Sequence, residues 1–447
     1  MVQQRLYEVI IRHCRLLFCL FSGYCSSVSA LGLIDAWQRA IMHDPGFQAA
    51  RHERNAGVEE RNIGRAALLP KVSYDYHHAR IDSTVTSDNR RADRDYASHA
   101  STLSLQQPLL DYEAWSRYQR GNASALLADE QLRNKSQQLL VKLFQAYSDV
   151  LFSQEQIILI QAQQRSWHEQ LKLNRRLFEM GEGTRTDILE TEARLNLSEA
   201  QLIEAKDNLD FSEQTLAKLL GMAISAGQLA QLNHRLAPYP LQPANLQHWQ
   251  ALALRHNAQL LVLGQSLAVA RYDIERNRAG HLPRITLVAN ARKTSSETES
   301  SYNQKYDTRS IGFQVSIPLF SGGGVSAATR QATERYLQAA QEKDEQTSSL
   351  LIELRRQFNL VISSQAKIKA YQLAEHSALT LVQATKKSVL GGERVNLDIL
   401  NAEQQLYRTR RDLTEARYVW LTAWLQLHYY AGTLDENILQ QLANYFD

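Results

Sequence analysis

Two nearly matching strings, GEGTRTDIL at 181–189 and GGERVNLDIL at 391–400, each set a carboxylate a few residues after glycines that can reverse the chain. Asp187 and Asp398 stand 398 − 187 = 211 positions apart, in step with one another. A carboxylate in the first turn of a helix accepts from free backbone amides and complements the helix dipole, worth ~0.3–1 kcal/mol. That chemistry is electrostatic and breaks no bond. HExxH, GxSxG, GxxxxGKS/T and GxGxxG strings are absent. Gly322-Gly323-Gly324 has the composition of a phosphate loop but lacks the following Lys and Ser/Thr, and a strand-to-helix turn after Pro318 accounts for it better. His77 and His78 are neighbours on a strand and point to opposite faces, so they do not share a metal. No cofactor, metal or nucleotide is expected, and the chain is not read as an enzyme.

The elements that position these strings are long. No proline interrupts the chain between Pro108 and Pro238 or after Pro318. Leu140, Leu143, Tyr147, Val150, Gln154 and Ile157 step by 3 and 4 in alternation, a coiled-coil period. A helix over 109–180 would extend ~108 Å at ~1.5 Å per residue. Gly181 and Gly183 stop it, Thr184 or Thr186 caps the returning helix, and Gly221 ends that one. At the 211-residue offset the six residues above meet Leu351, Leu354, Phe358, Val361, Gln365 and Ile368, and Gly391-Gly392 form the second turn. RAALLPKVSYDY at 65–76 likewise matches RAGHLPRITLVA at 278–289. The chain is a duplicated unit.

Pro70, Pro108, Pro283 and Pro318 are expected at strand-helix junctions, and between Pro70 and Pro108, and between Pro283 and Pro318, the hydrophobic period becomes two, as in Val72/Tyr74/Tyr76 and Ile311/Phe313/Val315. Four strands of ~10 residues follow, a length that crosses an outer membrane when tilted. Polar segments at 83–95 and 294–305 join them in pairs. The expected layout is a signal peptide over 1–30; a first repeat over 31–221 with a helix, strand pair 71–107, long helix 109–180 and returning helix 184–220; and a connector over 222–254. A second repeat over 255–432 has a helix, strand pair 284–317, long helix 325–390 and returning helix 395–431, and a terminal segment over 433–447 ends the chain.

The signal-peptide reading rests on Arg5, Arg12 and Arg15 before LLFCLF at 16–21 and on Val28-x-Ala30. Cys14, Cys19 and Cys25 all fall inside it, so the mature chain has no thiol and no disulfide. Its removal takes three Arg and one Glu, lowering the formal charge from +3 by 3 − 1 = 2 to about +1. A balanced charge gives no footprint for nucleic acid.

Four strands cannot close a barrel, and open edges are not tolerated in lipid. Three copies supply 3 × 4 = 12 strands, an allowed even number, and set the helices in a ring. An open barrel above a helical tube is a duct.

GHLPRITL (280–287), SIPLFSGGGV (316–325) and the two turn strings resemble the TolC family of outer-membrane efflux and secretion channels over essentially the whole mature chain. ERNRAGHLP (275–283), NQKYDT (303–308) and RRQFNL (355–360) are more narrowly similar to the outer-membrane component of protease type I secretion systems. The resemblance implies a mainly α protein with a small β part: a homotrimer with a long α-helical barrel in the periplasm, a shared 12-stranded transmembrane β-barrel in the outer membrane of a Gram-negative bacterium, and an equatorial band of small helices at 31–44, 222–254 and 433–447. It implies a periplasmic adaptor, an inner-membrane ABC transporter and a secreted protein cargo as partners. It makes the turns the periplasmic tips, with Asp398 in an acidic ring and Asn401 where a second ring Asp would stand. Links that hold the tip shut map onto Thr186, Asp187 and Arg394, and their aromatic partner onto Val389. The alternatives are a multidrug-efflux partner and a soluble periplasmic coiled-coil adaptor, the latter disfavoured by the duplicated hairpin.

Overall fold

A computed structural model describes residues 30–87, 90–233, 238 and 240–446, so all but the last residue of the expected signal peptide lies outside the described residues. Helix α1 (Leu33–His43) is followed at once by α2 (Pro45–Ala66), where Asp44 accepts from the Phe47 amide at 2.7 Å and Pro45 supplies a preset φ at the first helical position. Strands β1 (Lys71–Ser87) and β2 (Arg90–Leu110) then form a long hairpin. Asp111 caps α3 (Tyr112–Glu179) by accepting from Ala114 N at 3.0 Å. The 68 residues of α3 extend ~102 Å.

Helix α4 (Arg185–Leu220) returns and ends at Gly221, whose φ of +68° is the left-handed value that closes a helix without a Cβ penalty. A 3-10 turn (Ala226–Gln228) and α5 (Leu246–His256) connect the halves. The second half repeats the plan: α6 (Ala258–Arg278), β3 (Arg284–Ser295), β4 (Lys305–Ser316), α7 (Gly324–Leu390) and α8 (Asn396–Ala431), with α9 (Glu436–Ala443) closing the chain.

In each half two shorter helices lie end to end along one long helix. α2 packs on the sheet-proximal part of α3 and α4 on its far part; α6 and α8 do the same for α7, while α3 also packs on α6 and α8. The α2–α3 crossing is close because both helices present glycine: a Cβ on Gly121 would lie 2.3 Å from Glu60 O. The core sits midway along the bundle, where α1, α5, α9 and the 3-10 turn collect around Leu143, Phe144 and Tyr147 of α3, Leu354 of α7 and Trp420 and Leu421 of α8. There Tyr147 donates to Leu31 O at 2.9 Å and Ala230 O at 3.0 Å, and the His428 ring meets Trp249 edge-on and Trp424 at a tilt, with centroids 5.1 and 4.4 Å away. Burial lowers the His428 pKa from 6.5 to about 4.

The sheet is antiparallel in the order β1-β2-β3-β4, so β1 and β4 are edges. The register sets Val72 opposite Leu105, Leu105 opposite Ala289 and Ala289 opposite Ile311, with Tyr74 and Leu103 on the same face in the row to one side and Leu287 and Phe313 in the row to the other. One face is therefore apolar across all four strands, and Ser73, Ser104, Asn290 and Ser310 line the other. The apolar face is open: Tyr74 is 64% and Phe313 70% exposed.

Two expectations about this region change. Residues 83–95 are not a polar connection between short strands; they extend β1 to Ser87 and begin β2 at Arg90. Paired charges such as Arg80 with Asp95 satisfy their side chains while the ladder continues. Pro108 is not at the strand-helix junction but inside β2, beside the register shift between Pro108 and Leu110, where a missing N–H is tolerated. The junction itself is Asp111. Pro70 and Pro283 directly precede β1 and β3, and Pro318 lies two residues beyond β4.

Candidate functional site

Both helical hairpins reverse by the same backbone device. Gly181 (φ +79°) and Gly392 (φ +77°) take the left-handed conformation, 392 − 181 = 211 residues apart. The amides that follow close the helix ends by six-residue bonds, Glu182 N to Leu177 O and Glu393 N to Ser388 O, both 2.9 Å. Gly391 has an ordinary helical φ of −81°. Gly183 is needed for space, since a Cβ there would sit 2.9 Å from Phe178 N.

The returning helices begin differently. Thr184, and not Thr186, caps α4: its Oγ1 accepts from Asp187 N at 3.2 Å while Asp187 Oδ2 accepts from Thr184 N at 3.1 Å. The equivalent cap of α8 is Val395, which has no acceptor, so only the return bond from Val395 N to Asp398 Oδ2 remains, at 3.4 Å. The second tip is the more weakly capped of the two.

The structure locates the other sequence-derived residues plainly. Asp187 and Asp398 are half-buried in the first turns of α4 and α8. Asn401 is exposed, and its Oδ1 accepts from Arg194 Nη2 of α4 at 3.0 Å. Arg394 and Thr186 are exposed at the tips and form no hydrogen bond or ion pair with any described residue; the chain does not bring Arg394 to Thr186 or Asp187. Val389 is half-buried.

A buried polar cluster instead joins the two hairpins just inside the tips. Gln170 of α3 donates to Asn396 Oδ1 at 2.8 Å and to Asn174 Oδ1 at 3.1 Å. Asn174 Nδ2 donates to Thr191 Oγ1 at 2.9 Å, and Thr191 donates to the Asp187 carbonyl at 2.8 Å. All four side chains are at most 7% exposed. An apolar plug of Trp167, Leu171, Leu195 and Leu400 lies beneath. A second polar node follows, where Glu403 of α8 accepts from Ser166 of α3 at 2.5 Å and pairs with Lys386 of α7 at 2.7 Å.

Buried amides here are hydrogen-bonded in a low-dielectric setting, where losing one partner strands the other. The arrangement can hold two hairpins in one relative position. Reading for charge overlooked it. The available signal was polar Gln163, Gln170 and Asn174 falling in the 3-4 stripe with Ile160 and Trp167.

No group of three or more His, Cys, Asp or Glu that could hold a metal ion occurs among the described residues, and none of their helices is long and apolar enough to cross a membrane. The family described as "Outer membrane efflux protein" matches residues 36–222 and 249–433, one segment in each half. The chain is 48% identical to the proteases secretion protein PrtF of Dickeya chrysanthemi over 94% of its length and 92% of that protein. It is also 48% identical to the alkaline protease secretion protein AprF of Pseudomonas aeruginosa, over 97% and 92% of the two chains. Its fold matches the outer membrane protein VceC of Vibrio cholerae with a TM-score of 0.78 at 17% identity, covering 90% of this chain and 96% of that one.

Proposed function

The chain belongs to the outer membrane efflux protein family, and from that premise we propose that it is the outer-membrane channel of a type I, ABC transporter-driven protein secretion system. It is a passive conduit, and its cargo is a protease, as the names of the relatives PrtF and AprF suggest for those proteins. One observation carries the reading: a four-stranded sheet, apolar on one face and polar on the other, with two unpaired edges at one end of helices ~100 Å long. Lipid tolerates neither edge.

Because successive strands alternate in direction, β4 of one copy can pair antiparallel with β1 of the next, and three copies close a 12-stranded barrel. The apolar face then meets lipid and the polar face lines the lumen. Exposed Leu189, Leu197 and Phe211 along α4 agree with further helix-helix contact between copies. In this reading the helices extend into the periplasm, the glycine turns meet an adaptor and an inner-membrane transporter, and the three Asp398 carboxylates form the entrance ring. Asn401 contributes no charge to that ring. The Arg394 link to Thr186 or Asp187 becomes a contact between neighbouring copies.

The test is deletion of the chain's gene with complementation, following both exported protease and drug susceptibility. Loss of protease export restored by the wild-type chain is expected. Normal export with raised drug susceptibility would move the assignment to the efflux partner. Absence of the chain from a carbonate-resistant outer-membrane fraction would overturn the barrel altogether.

A further inference from the structure

The apolar face of the sheet changes character toward the end away from the helices. Above Ile311 and Ala291 the same rows continue as Lys293, Arg309, Asp307 and Lys305, with His99 and His78 on the neighbouring strands. One carboxylate serves two of the three cations: Asp307 lies 3.4 Å from Lys293 and 3.9 Å from Arg309, while Lys305 pairs with no described residue. The nearby Arg80–Asp95 pair is neutral as a unit. These side chains border an open groove of about 370 Å³ lined by Tyr76, His99, Ser101, Lys293, Lys305 and Asp307. At the helix-proximal end the same face ends in Val72, Ile285 and Val315 and carries no cation among the described residues. The cation surplus is thus confined to one rim.

We propose that this groove holds the phosphate of a phosphorylated glycolipid headgroup in the outer leaflet. The proposal rests on the barrel reading above, which turns this face to lipid and this rim to the cell exterior. Lys293 and Lys305 in the lining suit a phosphate dianion, and the hydroxyls of Ser101, which donates to Tyr74 Oη at 3.1 Å, and of Tyr76, 3.3 Å from His99 Nδ1, are engaged in the groove wall. The neighbouring Tyr76, Leu103 and Phe313 surface accepts the acyl chains. His99 donates or accepts beside the groove, its Nδ1 3.1 Å from His78 Nδ1.

The experiment uses the full-length assembled protein in detergent, titrated with purified lipopolysaccharide, its enzymatically dephosphorylated form, and inorganic phosphate. Lys293→Gln/Lys305→Gln should bind the phosphorylated glycolipid about tenfold more weakly than wild type, while binding of the dephosphorylated form is weak in both. Should the double variant fail to assemble, Lys305→Gln alone serves, since Lys305 holds no ion pair. Equal affinity in variant and wild type, or equal binding of both glycolipids, overturns the proposal. Inorganic phosphate binding as tightly as the glycolipid overturns the lipid assignment. Insertion of the wild type into liposomes is scored separately, so a failed barrel is distinguished from a failed lipid site.

Discussion

Gln170 Nε2 donates to Asn396 Oδ1 across 2.8 Å, joining the descending helix of the first hairpin to the first residue of the returning helix of the second. Both side chains are buried, so neither can exchange its partner for water. Asn396→Ala should leave one of the two Gln170 Nε2 hydrogens without an acceptor, the other still reaching Asn174, and cost roughly 1–3 kcal/mol locally. The expected outcome is a loosened tip, seen as faster hydrogen exchange over 170–174 and 396–401 and a higher conductance in planar bilayers. Unchanged exchange in the intact, assembled protein would show that the amide cluster does not restrain the hairpins.

Ring charge and latch are separable. Asp398→Asn removes the proposed ring's charge and weakens one return cap, and it should lower cation preference and block by multivalent cations while leaving the amide cluster intact. Arg394 forms no hydrogen bond or ion pair with any described residue of its own chain, so Arg394→Ser raises conductance only through a contact with a neighbouring copy. Reversal potentials report the first effect and single-channel conductance the second. A cation preference untouched by Asp398→Asn would remove Asp398 from the pore.

The two faces of the sheet predict opposite tolerances. Phe313, 70% exposed between Ile311 and Val315 on the apolar face, should not accept arginine: Phe313→Arg costs about 2–4 kcal/mol at mid-depth in lipid. Gln314→Arg, one residue away on the polar face, should cost little. Yield of heat-modifiable, membrane-inserted protein checks both, and equal loss in the two variants would contradict the face assignment.

Acid should loosen the core midway along the bundle through His428. Its folded pKa of about 4 lies below the ordinary 6.5, so the unfolded chain binds the extra proton. The contribution is fully present above pH 6.5 and is lost as pH falls toward 4, on the order of 3 kcal/mol per chain. Asp435, the acidic neighbour, opposes part of the shift. Melting of the detergent-solubilised protein should therefore drop between pH 6.5 and 4.5 by more in wild type than in His428→Asn. Parallel pH profiles would assign the acid sensitivity elsewhere.

Much of this molecule is local and therefore legible in the sequence. The 3-4 stripes, the proline spacing and the 211-residue offset specify long paired helices, because helix period and glycine reversal depend on neighbours along the chain. Gly181 and Gly392 needed no tertiary partner to be recognised. Strand existence was equally local, but strand length was not: residues 83–95 look like a loop until cross-strand pairs such as Arg80 with Asp95 show how a polar ladder continues.

The contacts between hairpins were decided only by tertiary structure. Nothing near Arg394 in the sequence says that its side chain lies free, or that Asn401 is engaged by Arg194 from a helix 401 − 194 = 207 residues away. Asn396 reads as an ordinary first-turn residue, and Gln170 as a polar interruption of an apolar stripe. Their bond exists because α3 and α8 pack side by side and exclude water, which makes an amide without a partner costly and an amide with one specific. Hydrogen-bond partners across a packed interface follow from the rotation and offset of two helices, quantities that hydrophobic period constrains only to a stripe.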